Sequence, residues 1–113
     1  MSKYAEEVDY SLGMIESKGF KITAVSNGEE KIPVSDISDA AEHILSVEDS
    51  WFYVKMNGNY VARGYVVLGN EPGVMIADWC YKEDSPHWQE LEAVGHEISE
   101  KFPIYLEAKD LVE

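Results

Sequence analysis

Two carboxylate–imidazole pairs are the first residues in this sequence whose types and spacing could do chemistry. Asp39 stands four residues before His43, and Glu92 four residues before His96. On a helix each pair shares a face, and a carboxylate with an imidazole can hold a divalent metal or pass a proton. Neither pair brings a third and fourth ligand, and the Glu-x-x-His spacing of carboxylate-bridged metal bundles is absent. Histidines facing solvent beside acids are the plainer reading, so no metal or other cofactor is expected.

Cys80 is the one thiol in the chain. A nucleophilic cysteine needs a neighbouring base and an electropositive setting to form its thiolate. The surrounding "IADWCY" is apolar and acidic, so Cys80 reads as a small core residue. Asp78 is odder, because strand alternation puts it with Cys80 on the inner sheet face, opposite Gly64. It could cap a helix, bind a backbone amide or serve as an acid. No G-x-S-x-G or comparable motif assembles serine, histidine and aspartate.

Gly64 and Gly69 have the spacing of a phosphate-binding loop, but Asn70 and Glu71 follow where Lys and Ser/Thr are required. A second β-type run comes next rather than a helix N-terminus, and Glu71 would repel phosphate. Residues 69–73 therefore read as the turn of a hairpin. No catalytic residue is assigned. The alternative is a small-ligand or metal-dependent enzyme using Asp78, His43 or His96.

The segments that must position these residues follow from apolar periodicity. Tyr4, Ala5, Val8, Leu12 and Ile15 are spaced for a helix, with Ser2 to cap it and Gly19 to end it. "FKITAV" alternates as a half-buried strand, with Phe20, Ile22 and Ala24 against Lys21, Thr23 and Val25. "SNGEEKIP" reads as a turn and connector. A second helix starts near Ser35 or Asp36, with Asp39 and Glu42 at capping-box spacing. Three strands follow, the first two joined by Asn57-Gly58-Asn59, residues that tolerate positive φ. The last helix opens at Ser85-Pro86, carries Trp88, Leu91, Ile98 and Phe102 on its apolar face, and ends at Pro103. The tail from Ile104 is read as a short strand or loose extension. The expected fold is α+β: one domain over residues 1–113, a mainly antiparallel sheet of about four strands, helices chiefly on one face, in the order α-β-α-β-β-β-α.

Strand register then divides the sheet. A core face cannot also hold an unpaired charge, and a three-residue loop at 57–59 keeps Lys55 and Arg63 together away from it. The inner face becomes Phe52, Val54, Met56, Tyr60, Ala62, Gly64, Val66, Leu68, Val74, Ile76, Asp78 and Cys80. The outer face becomes Trp51, Tyr53, Lys55, Val61, Arg63, Tyr65, Val67, Met75, Ala77, Trp79 and Tyr81. Aromatic side chains with arginine are the usual anchors of protein interfaces, although a helix or the tail could also cover this face.

The global charge narrows the partners. The 113 residues carry 22 acidic and 9 basic side chains, a net charge of −13. Phosphate contacts dominate nucleic-acid affinity, so direct nucleic-acid binding is not expected, nor is binding to an anionic membrane. No apolar run approaches the ~20 residues of a membrane span. One cysteine and an acidic N-terminus point to the cytoplasm. The acids cluster at Glu29–Asp49 and Glu83–Glu113, where Asp39, Glu42, Glu90, Glu97 and Glu100 would form a negative helical layer able to imitate DNA phosphate toward a basic partner.

Within "RGYVVLGNEPGVMIADW", residues Gly64, Tyr65, Val66, Leu68, Gly69, Asn70, Pro72, Ile76, Asp78 and Trp79 resemble a segment of small acidic accessory proteins of enterobacterial phages and prophages. The resemblance covers residues 63–79 and consists mainly of hairpin residues. That family has no assigned activity, so no functional residue carries over. It implies a setting in which small acidic proteins bind and disable host or defence complexes in the host cytoplasm. The expected function is a protein-binding module, an inhibitor or modulator, with two candidate surfaces. One is led by Trp51, Tyr53, Arg63, Tyr65 and Trp79, the other by the acidic layer. A self-associating module, such as a homodimer, is a further alternative.

Overall fold

The computed structural model describes residues 4–69, 73–83 and 85–112, without the side chains of 110–112. Its elements are α1 (Ala5–Ser17), β1 (Lys21–Ser26), β2 (Lys31–Pro33), α2 (Ile37–Leu45), β3 (Asp49–Met56), β4 (Asn59–Val67), β5 (Ile76–Tyr81) and α3 (Trp88–Val112). The strands form one antiparallel sheet in the order β2-β1-β3-β4-β5. All three helices pack on one side of it, α1 meeting both α2 and α3. The fold is α+β as expected, with five strands rather than four.

The fifth strand, β2, lies within the stretch read as a connector. Asn27 Oδ1 accepts from the amides of Glu29 and Glu30 at 3.0 and 3.1 Å, and Gly28 takes φ +95°. That turn folds three residues back onto β1, too few for alternation to register in the sequence. α2 starts where expected, with Asp36 as its N-cap, but the capping box pairs Asp36 with Asp39 rather than Asp39 with Glu42. Asp36 accepts from the Asp39 amide at 2.8 Å, and Asp39 reaches back to the Ser35 amide at 3.0 Å.

Pro103 does not end α3. It removes the partner of the Ser99 carbonyl, and Gly73 packs against that residue; a Cβ on Gly73 would stand 3.1 Å from Ser99 O. Just before Pro103, Phe102 lies 5.2 Å from the Tyr10 ring; beyond it, Tyr105 lies 5.1 Å from the same ring, Lys109 pairs with Glu6, and Leu106 packs on the core. These tertiary contacts offset the cost of an interior proline. Trp88, expected on the apolar face, is instead 44% exposed. The proposed Ser2 cap lies outside the described residues, while Gly19 ends α1 with φ +95°.

The core is filled by Leu12, Ile15, Ile22, Ile44, Phe52, Leu91, Ile98 and Phe102 among others, each buried side chain contributing about 1.5–3 kcal/mol. Phe52 lies over Gly64, where a Cβ would come within 2.4 Å of its Cζ. The same ring meets Trp79 edge-on at 5.5 Å.

Three strands carry an extra residue, and each extra residue exchanges the two faces beyond it. In β1 the pairing steps from Ile22↔Val54 to Ala24↔Tyr53, which puts Val25, not Ala24, on the helix side with Phe52. In β4 it steps from Val54↔Ala62 to Lys55↔Tyr60. In β5 it steps from Val66↔Ile76 to Tyr65↔Asp78. The β3–β4 turn has two residues, with Asn57 and Gly58 both at positive φ; the extra residue at Val61, not a longer loop, brings Lys55 and Arg63 to one face. Val61 is consequently buried and Tyr60 turned outward. Met75 is also buried, and Val74 is 41% exposed, the reverse of their expected sides.

Candidate functional site

Residues 69–73 connect two antiparallel strands, β4 and β5, so the glycines flank a hairpin turn and no helix N-terminus. Asn70, Glu71 and Pro72 lie outside the described residues. The His43 and Asp39 side chains pair at 3.6 Å on α2. Among the described residues, no group of three or more histidine, cysteine, aspartate or glutamate side chains is placed to hold a metal. No helix among them is long and apolar enough to cross a membrane.

The sheet face away from the helices carries most of the sequence-predicted aromatic site. β3 puts Asp49, Trp51, Tyr53 and Lys55 there in alternation, and the register aligns Tyr60, Arg63 and Tyr65 beside them. β1 and β2 add Lys21 and Lys31. The Arg63 guanidinium lies 4.3 Å over the Trp51 ring, and Lys31 Nζ lies 4.1 Å over the Tyr53 ring. Trp51 and Tyr65 are 4.9 Å apart, Tyr53 and Tyr60 6.2 Å. Tyr65 donates to Asp49 Oδ2 at 2.6 Å, which raises the phenol pKa. Hydrogen bonds first to Tyr53 and then to Cys80 raise the pKa of Arg63.

These rings are half-buried against one another and against alkyl stems, with no covering element among the described residues. The strands thus place four cations, Lys21, Lys31, Lys55 and Arg63, on this face with only the carboxylates Asp49 and Asp78. On a chain of net charge −13, that is a marked separation of charge.

Trp79 does not belong to this surface. The extra residue at Ala77 puts it opposite Gly64, under α3, together with Tyr81. The same shift turns Cys80 and Asp78 outward, where both are exposed; Cys80 is not a core residue, and it pairs across from Arg63. Asp78 stands opposite Tyr65, and its Oδ1 accepts from the Trp79 amide at 2.9 Å. It binds a backbone amide, one of the roles open to it from the sequence.

The acidic candidates do not form one uninterrupted field. Asp39 is engaged at the α2 N-terminus. Glu97 is paired with Lys101 at 2.8 Å and Lys18 at 3.2 Å, and these hydrogen bonds hold its pKa below the ordinary value. Glu90 Oε1 lies 3.0 Å from His87 Nδ1. Glu42 and Glu100 are exposed, on helices that α1 separates.

A groove between β5 and α3 was not foreseen as a unit. It has a volume of about 320 Å³ and is bounded by Ala77, Asp78, Trp79 and Tyr81 on the strand and by Glu92, Gly95, His96 and Ser99 on the helix. Asp78, Glu92 and His96, separately noticed in the sequence, thus line one space. Tyr81 Oη is buried, with no hydrogen-bond partner of normal geometry among the described residues; burial first, and then the nearby carboxylates of Glu92 and Asp78, raise its pKa. The signal for this groove was the spacing of 92, 95, 96 and 99, one stripe of a helix with a glycine in it. Glu7 was also missed, since an acid in a first helical turn is ordinarily exposed; here it is 6% exposed and receives the amides of Gly73 and Met75.

Comparison with protein-family models, curated proteins and solved structures gives no match.

Proposed function

We propose that this chain is a protein-binding module that docks an acidic surface of its partner on the open sheet face. The observation that supports this reading is the pairing of half-buried rings with cations, Arg63 on Trp51 and Lys31 on Tyr53. Such rings are already partly ordered by their neighbours, so binding immobilises little that is not already held. Trp, Tyr and Arg at the centre of an interface commonly supply most of its energy. The cations exclude a basic partner from this face and favour an acidic one.

The DNA-mimicking variant, with a basic partner on the helical layer, draws less support. Glu97 is neutralised by two lysines and Asp39 is committed to its helix cap. The phage or prophage setting implied by the hairpin resemblance remains part of this proposal, as does inhibition of a host or defence complex.

The test is retention of proteins from a bacterial host lysate on the immobilised chain at low and high salt. Wild type is compared with Trp51→Ala, Arg63→Glu and the helical control Glu90→Gln with Glu100→Gln. A specific acidic partner lost from both sheet-face variants, and kept by the helical control, is the expected result. Retention of a basic partner that only the helical control loses would reject the sheet face and favour the acidic layer. The hot-spot scale predicts a loss of about 2 kcal/mol, roughly 30-fold in Kd, for Trp51→Ala.

A further inference from the structure

β5 is the last strand of the sheet, and no strand pairs with its outer side among the described residues. Antiparallel pairing alternates, so residues on an edge strand point their amide and carbonyl groups in turn toward the neighbour and away from it. Trp79 is of the outward kind, because its amide is met by the carboxylate of Asp78 at 2.9 Å and not by β4. Tyr81, two residues on, shares that orientation. The edge therefore offers backbone groups in the manner that a further strand would use.

The groove beside this edge has a second wall. Glu92, Gly95, His96 and Ser99 face it from α3, a stripe about 10 Å long at the helical rise. Gly95 keeps that wall low; a Cβ there would come 3.4 Å from Trp79 Nε1. A glycine inside a helix is less favourable than alanine, and here the missing methyl keeps the space beside Trp79 open. An edge strand facing a helix across an open channel is the arrangement in which an extended peptide adds to a sheet, its main chain on the edge and its alternate side chains toward the helix.

We propose that the β5–α3 groove binds an extended basic peptide segment of a protein partner as an added strand, with its carbonyl replacing Asp78 on the Trp79 amide. The released Asp78 carboxylate and Glu92 then stand on either side of the peptide, where a lysine or arginine meets them. The buried Tyr81 Oη, near Glu92 and Asp78, supplies a further polar contact. Charge selects this occupant over a second copy of the chain, since edge-to-edge pairing would set Asp78 and Glu92 of two strongly acidic molecules against each other. The site meets the open sheet face only at Asp78 on its margin and carries the opposite preference.

The probe is a capped hexapeptide alternating lysine with valine, titrated to millimolar concentration against the full chain while amide exchange is followed by NMR. The expected result is at least a tenfold slowing of exchange at the Trp79 and Tyr81 amides. The counterpart with glutamate in place of lysine leaves them unchanged. Gly95→Leu, which fills the channel, and Glu92→Gln, at an exposed position, both weaken the protection; Trp51→Ala does not, which separates this site from the open face. If the lysine peptide shifts only helical surface resonances, or Gly95→Leu folds and keeps full protection, the proposal is wrong. Protection at these amides that grows with protein concentration, without peptide, would assign the edge to a second copy and overturn it as well.

Discussion

Replacing Glu7 tests how the β4–β5 connection is held to the helices. Its Oε2 accepts from the Gly73 amide at 3.1 Å and the Met75 amide at 3.0 Å, and both residues are buried. Glu7→Ala leaves two buried donors without this acceptor, at about 1–3 kcal/mol each. A loss of about 2–6 kcal/mol is expected, a large part of the roughly 5–15 kcal/mol typical of a domain. Glu7→Gln behaves differently. Both amides converge on one oxygen, so a carboxamide oxygen can accept both, and stability should stay within about 1 kcal/mol of wild type.

The pH dependence gives the sharper test. Burial raises the Glu7 pKa above 4.5 in the folded protein, against the lowering effect of the Met75 and Gly73 amides. The folded state therefore holds this proton more tightly than the unfolded chain. Its contribution to stability is complete below the unfolded pKa and is lost as pH rises through the folded one. Glu6 and Glu97, lowered by lysines, have the opposite sign, which the comparison with Glu7→Gln cancels. Urea unfolding followed by tryptophan fluorescence between about pH 4 and 7 measures the difference. Wild type should gain on Glu7→Gln as pH falls through this window. A constant difference across the window, or Glu7→Ala within about 0.5 kcal/mol of wild type at neutral pH, would refute the reasoning.

Gly64→Ala drives a methyl into Phe52, since its Cβ would lie 2.4 Å from Cζ and 2.6 Å from Cε1; a loss of about 1–3 kcal/mol is expected, partly recovered in a double mutant with Phe52→Leu measured by urea unfolding. Gly13→Ala has the opposite sign. Nothing lies within 4 Å of the added Cβ on α1, so thermal unfolding should rise by about 3–5 °C for a gain of about 0.5–1 kcal/mol. Tyr105→Ala removes ring contacts with Tyr10 and Phe102 and a 3.3 Å hydrogen bond to Glu6; calorimetry should show a loss of about 1–2 kcal/mol, which a loose tail beyond Pro103 would not give.

Element types were largely legible because apolar spacing is a local property. Ile37, Ala41 and Ile44 make a helical stripe whatever surrounds them, and β3 alternates without interruption from Asp49 to Met56. What escaped was set by contacts distant in sequence. α3 runs through Pro103 because Tyr10 and Glu6 hold its second half, ninety or more positions away. Glu7 looks like any acid in a first turn until Gly73 and Met75 arrive beside it.

The strand faces show the limit most clearly. Lys55 and Arg63 share a face away from the core because burying an unpaired charge is costly. That cost does not distinguish a longer turn from an extra residue within the strand, because both shift the register by one. Val61 takes the second route, and so Tyr60 replaces Val61 on the open face. At Ala77 the same cost bears on Asp78, which uninterrupted alternation puts on the core face; reading straight through the irregularity reverses the rest of β5. That single residue has two consequences. It carries Trp79 beneath α3, against Phe52 and beside Gly95, and it turns Asp78 to the margin, where it occupies the Trp79 amide. Without the extra residue Asp78 would face the core opposite Gly64, and Trp79 would lie on the open sheet. The irregularity that removes one aromatic from the open face is thus the one that builds the wall of the β5–α3 groove and places a carboxylate at its entrance.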